Sequence, residues 1–254
     1  MKKGRGNQIV RMALGVLGYE AAFGVFGFLM MPLATDAAAG VRIGVSALVI
    51  AGAWALVFFG AAVRGERDCA VSQMLDKLRA QGMQEKARSE ENKRFWRMKA
   101  VWAALLGGAP LLLVAVFVAV TAQPYVYALQ GTPTWMSSYL ARPEIGDALA
   151  YLGDTSVSVG VQDYATVAVR FFLFAYVSLF GTMSDAASLL FDRLCPILTL
   201  LLPAVYAIGY QFGPVRRAKA VRMIEEAKRR PRKRLKKEAR NRLAGKGPEK
   251  KELI

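Results

Sequence analysis

Apolar and polar residues fall into long, separate blocks along this chain. Five apolar runs stand out, at 12–33, 43–63, 100–122, 165–183 and 194–213. Each is about 20 residues, the length of helix that crosses a bilayer core of roughly 30 Å. Only Glu20 and Arg170 put a charge inside a run. Five buried core helices of that length would be unusual in a water-soluble domain. The pattern predicts an all-α integral membrane protein, a polytopic helical bundle with four to six apolar segments. The first run follows Lys2, Lys3 and Arg5 and precedes small residues, as a cleaved leader would. Its length and Glu20 argue instead for a retained span.

The blocks divide the chain into a helix pair at 1–63, a charged segment at 64–99 and a third span at 100–122. An aromatic-rich segment at 123–164, two more apolar runs within 165–213 and a basic tail at 214–254 follow. Within 64–99, Val71, Met74, Leu75 and Leu78 recur on one helical face. Gln81–Gly82 marks a break before a second charged helix. This predicts a helical hairpin leading into the third span, with Trp96 and Trp102 at headgroup level. Gly213–Pro214 is expected to end the last span, and Pro231 to cut the tail helix.

Charge then sets an orientation. The chain carries a net charge of +16. Lys and Arg number four in 1–11, ten in 64–99 and seventeen in 214–254, together 31 of the 35 in the chain. Basic residues stay on the cytoplasmic side. Both termini and the hairpin are therefore expected in the cytoplasm and 123–164 outside, in a plasma membrane. Five crossings would export the tail, so an even number fits better. The element expected not to cross fully lies in 165–191, where "GTMSD" (181–185) looks like a turn; it is read as re-entrant or interfacial.

Residues 123–164 carry Trp135, Tyr139 and Leu140, then Ile145, Leu149 and Leu152, on helical stripes, and Val157, Val159 and Val161 in alternation, a strand period. They are expected to form a cap on the outer headgroups, as an aromatic belt or a recognition surface. The tail carries a net +12. Arg232, Lys233, Arg234, Lys236 and Lys237 are its densest cluster, a candidate site for anionic lipid headgroups or a protein partner. Ribosomal or other RNA is the rival, although the tail has no aromatic residue to stack on bases.

Glu20 shares a helical stripe with Gly24 and Gly27, at small-residue spacing that lets a second helix approach. A charge near mid-span costs roughly 2.5–3.5 kcal/mol against lipid, so Glu20 should face protein. Arg170 is the expected partner; Tyr19, Tyr176, Ser178, Thr182 and backbone carbonyls are alternatives, and a protonated Glu20 needs no cation. Asp185, at the proposed re-entrant tip, and the Asp192–Arg193 pair join the intramembrane polar groups. The stripe reads either as a structural lock or as a proton or cation site.

The chain has no histidine, which removes imidazole chemistry and the commonest metal ligand. Cys69 and Cys195 form no paired motif and are expected to be reduced. No Ser/Lys, Cys/His or paired-Asp set is visible. No catalysis, metal or cofactor is therefore expected. The expected role is a non-enzymatic anchor or subunit of a membrane complex, bound to the lipid bilayer and to a protein partner or a second copy. The alternative is a translocation element built on Glu20 and Arg170. In its layout alone, a helical hairpin plus a basic tail, the chain is similar to the membrane insertases. That likeness implies a basic residue in a membrane groove and a ribosome-facing tail. Neither Arg42 nor Arg170 sits in a recognisable insertase motif, and no inverted repeat is visible.

Overall fold

Long apolar runs without backbone donors to spare can only be helical in a bilayer, because each N–H and C=O must be satisfied within its own segment. The computed structural model describes residues 3–30, 39–123, 160–180 and 185–243, and among them every regular element is a helix. They are α1 (Lys3–Met30), α2 (Ala39–Ala80), α3 (Gln84–Glu90), α4 (Arg97–Thr121), α5 (Val161–Phe172), α6 (Phe174–Phe180), α7 (Asp185–Gln211) and α8 (Gly213–Leu243), with a 3-10 turn at Glu91–Lys93. Four stretches are long and apolar enough to cross a membrane: Gly6–Met30, Gly40–Ala80, Arg97–Thr121 and Ala186–Ala227. Their outward faces are strongly apolar. Leu48, Leu56, Leu113 and Val120 are 71–80 % exposed. A protein in water rarely presents so much contiguous apolar surface, whereas lipid accepts it.

The four long helices alternate in direction. Ala13 and Val16 of α1 lie against Gly107 of α4, and Glu20 lies beside Gly108, so α1 and α4 run together. Cys195 of α7 donates to the Ala115 carbonyl, Pro203 meets Gly108, and Tyr210 stacks on Phe95, so α7 runs against α4. Phe58 meets Gly209 and Gly65 meets Gly213, so α2 runs with α7. The start of α1, the α2–α4 hairpin and the base of α8 therefore share one end of the bundle, here called the hairpin end. Four helices long and apolar enough to cross accord with the even number of crossings expected from the charge.

The fifth apolar run is not a straight span. Gly160 opens α5 with its N–H bonded to the Asp163 carboxylate at 2.8 Å, a helix-start arrangement. The Gln162 side chain donates to the Thr121 carbonyl at 2.8 Å and fastens α5 to the far end of α4. The helix descends to the level of Glu20, bends at Leu173, and passes into α6. Residue 185, where α7 begins, is again at the far end. The 161–180 unit thus enters and leaves on one side, in line with the partial element expected there. Residues 181–184, including the expected turn and Thr182, lie outside the described residues. So do 124–159, where the aromatic cap was placed. Val161 itself opens a helix instead of continuing a strand.

The break near Gln81–Gly82 is present: α2 stops at Ala80 and Gly82 takes φ +78°, a conformation that suits glycine. Leu75 is buried beneath the returning segment with Ala87, whereas Met74, predicted on the same face, points out. The expected stop at Gly213–Pro214 is a one-residue break, and the one at Pro231 fails. Only Phe212 separates α7 from α8, with its N–H on Gly209 O and its carbonyl accepting from Arg216. Pro214 falls in the first turn of α8, where its missing N–H has no partner to lose. Nor does Pro231 end α8, which runs on to Leu243. A proline forfeits one backbone bond, but the Arg, Lys, Glu, Ala and Leu around it are among the strongest helix formers. Prolines also lie inside α4 (Pro110) and α7 (Pro196 and Pro203).

Candidate functional site

The residue that breaks the first apolar run lies at the centre of the bundle. Glu20 is 4 % exposed, enclosed by α4, α5, α6 and α7. A cavity of about 10 Å³ sits against it, lined by Phe23, Leu111, Phe172, Tyr176, Thr199 and other apolar groups. That is about the space one water occupies. Neither carboxyl oxygen has a hydrogen-bond partner among the described residues. The nearest hydroxyl, on Thr199, donates to the Pro196 carbonyl at 2.8 Å. Pro203 lacks an N–H, so the Thr199 carbonyl has no partner in the helical ladder.

Gly24 and Gly27 do what their spacing implied. A Cβ on Gly24 would stand 3.0 Å from the Phe171 carbonyl and the Phe172 Cα, and one on Gly27 3.0 Å from the Ala175 nitrogen. The helix that meets this stripe is therefore the Arg170 segment. Its charge is not what meets Glu20. Arg170 pairs with Asp192 of α7, through Nε to Oδ1 at 3.0 Å and Nη2 to Oδ2 at 2.7 Å, with a further bond to Ser188. The expected Glu20–Arg170 pair is thus corrected. Successive helical residues turn by about 100°, so with Phe172 facing Glu20, Arg170 faces the opposite way, onto α7. There a carboxylate takes both arms of the guanidinium.

The remaining predicted positions scatter. Asp185 opens α7, but its side chain lies outside the described residues. Tyr176 borders the Glu20 cavity and accepts a bond from Trp54 Nε1 at 3.1 Å. The side chain of Ser178 is outside the described set. Arg232, Lys233, Arg234, Lys236 and Lys237 lie on α8, with their side chains likewise outside it.

A second polar cluster was not foreseen. At the hairpin end, Asp68 of α2 accepts from Lys99 Nζ at 2.6 Å and from the Tyr210 hydroxyl at 2.7 Å. The Tyr210 ring stacks on Phe95 at 5.1 Å, 11° from parallel. Ser72 Oγ accepts the Phe95 N–H, and Arg64 donates to the Tyr206 hydroxyl. One carboxylate thereby ties α2, α4 and α7 together. Beyond this clamp α2 continues to Ala80 beside the first turns of α8, joined by Arg216–Glu66 at 3.4 Å and Arg217–Gln73 at 3.2 Å. Nothing in the sequence joined these groups, since their partners are up to 144 residues apart.

Among the described residues no group of three or more Cys, Asp or Glu side chains converges as a metal site. Cys69 and Cys195 are both buried and free. No protein-family model matches the chain, and no curated protein and no solved structure is significantly similar to it.

Proposed function

We propose that this protein is a non-enzymatic, multi-pass membrane anchor that presents its basic C-terminal helix to an anionic surface, as a subunit of a membrane-associated complex. The observation that carries the reading is the continuity of α7 into α8. A helix of 31 residues starts one residue after the last apolar helix, which makes it about 46 Å long. Its base is held by the Asp68 clamp and by the extension of α2. Fourteen Lys and Arg residues against three Glu lie within Gly213–Leu243. Such a rod serves display; a tether would need no clamp.

In this reading the hairpin end, and with it both termini, faces the cytoplasm of a cell whose plasma membrane holds the bundle. The charge distribution along the chain supports that orientation. Anionic headgroups or an acidic protein partner are the counterpart of α8, by charge complementarity. Replacing Arg232, Lys233, Arg234, Lys236 and Lys237 together by Gln should abolish co-purification of the partner, or flotation of a soluble α8 fusion with anionic vesicles. The bundle should still insert. Unchanged binding by the five-fold variant would remove the proposal.

A second reading keeps the chain as a translocation element. Its specific support is Glu20, an ionisable group at the bundle centre with unpartnered oxygens, placed against a bent, partial element. Loss of a transport phenotype in both Glu20→Gln and Glu20→Met would favour it over the anchor.

A further inference from the structure

Consecutive spans usually pack on each other, yet α1 and α2 touch sparingly and leave a groove between them. It has a volume of about 690 Å³, within the range of small-molecule pockets. Its walls are Phe23, Phe26 and Met30 of α1 and Val49, Leu56 and Val57 of α2, with Leu202 of α7 at the back. Gly52 also lines it, and a Cβ there would meet nothing within 4 Å. Along α2 the groove runs from Val45 to Val57, which is about 18 Å at 1.5 Å per residue. One leaflet of hydrocarbon is half of roughly 30 Å. The groove therefore matches the depth of a single leaflet, entered from the end opposite the hairpin.

The mouth carries a cation. Arg42 lies one turn before Val45 on the same face of α2, since residues three and four apart stack on one side. Arg42 is not among the groove's lining residues, and helical side chains lean toward the N-terminus, the direction away from the groove. Its Nε is buried without a hydrogen-bond partner among the described residues. An apolar slot of leaflet depth beneath one guanidinium has the form of a phospholipid: an acyl chain below, a phosphate above.

We propose that the α1–α2 groove is a binding site for one anionic phospholipid, with an acyl chain along Val45–Val57 and its phosphate on Arg42. A protein segment would need an acidic side chain at Arg42 to meet the cation, whereas one phospholipid supplies both the apolar chain and the anion. The proposal requires only that the bundle sits in a bilayer, so it stands or falls independently of α8.

The test uses the full chain in nanodiscs of equimolar phosphatidylglycerol and phosphatidylcholine, released into mild detergent for native mass spectrometry. Wild type should retain one phosphatidylglycerol per chain, with about a tenfold preference over phosphatidylcholine from the charged phosphate contact. Gly52→Phe fills the slot, and phenylalanine is a better helix former than glycine, so the variant should fold and lose the retained lipid. Arg42→Gln should keep a lipid but lose the headgroup preference. Independently of any variant, phosphatidylglycerol with a photoreactive acyl chain should label Leu48 and Leu56 well above Leu113, an equally exposed residue of α4. Equal labelling, or full retention by Gly52→Phe, would mean ordinary surrounding lipid and overturn the site. A self-associated chain that Gly52→Phe turns monomeric would show that a second copy fills the groove, and would also overturn it.

Discussion

Glu20→Met is the sharpest perturbation available. Both carboxyl oxygens of Glu20 are buried with no hydrogen-bond partner among the described residues. A buried polar group left unsatisfied costs about 1–3 kcal/mol relative to a satisfied one. Methionine is unbranched, comparable in length and adaptable to irregular gaps. It would retain contacts with Phe23, Leu111 and Leu202 and fill the 10 Å³ beside them. Glu20→Met should therefore stabilise the bundle by about 1–3 kcal/mol. Glu20→Gln, which keeps the polar atoms, should stay within roughly 0.5 kcal/mol of wild type. The assay is equilibrium unfolding in mixed micelles, followed by helical circular dichroism. If the carboxyl were a hydrogen-bonded lock between spans, methionine would instead destabilise by more than about 1 kcal/mol while glutamine was tolerated. That outcome would refute the reasoning. Stabilisation accompanied by loss of a transport phenotype would mark a destabilised functional group.

Two further perturbations probe the ion pairs. Arg170→Ala and Asp192→Ala should each cost about 1–3 kcal/mol, below the 3–5 of a fully buried pair, because the Arg170 side chain is 30 % exposed. In a double-mutant cycle their effects should be strongly non-additive; additive losses would deny the coupling. Lys99→Met strands the Asp68 carboxylate and should cost about 3 kcal/mol or more. Tyr210→Phe removes one hydrogen bond and should cost nearer 1 kcal/mol. Unfolding of the two variants side by side checks the order, and a reversed order would deny Lys99 its role.

Sequence alone settled the class of the protein. Twenty-residue apolar runs have one solution in a bilayer, and the counting of positive charge favoured an even number of crossings, for which four helices are long and apolar enough. Gly24 and Gly27 were readable as a close-packing stripe because small-residue spacing acts locally, within one helix. The hairpin break at Gln81–Gly82 was readable for the same reason. Pro214 and Pro231 looked like stops for a local reason that was misjudged: a proline in a first turn loses nothing, and a long basic run of strong helix formers carries the helix through the second. The other failures turned on neighbours remote in sequence. Arg170 was matched to Glu20 because both were charges in apolar runs. The three-dimensional phase of α5 turned it to Asp192 instead. Asp68, Lys99 and Tyr210 carried no signal at all, since a salt bridge is specified by the packing of three helices. The apolar slot beneath Arg42 is of the same kind. Composition fixes which surfaces prefer lipid, but only the splay of α1 from α2 decides that one of them is a cavity.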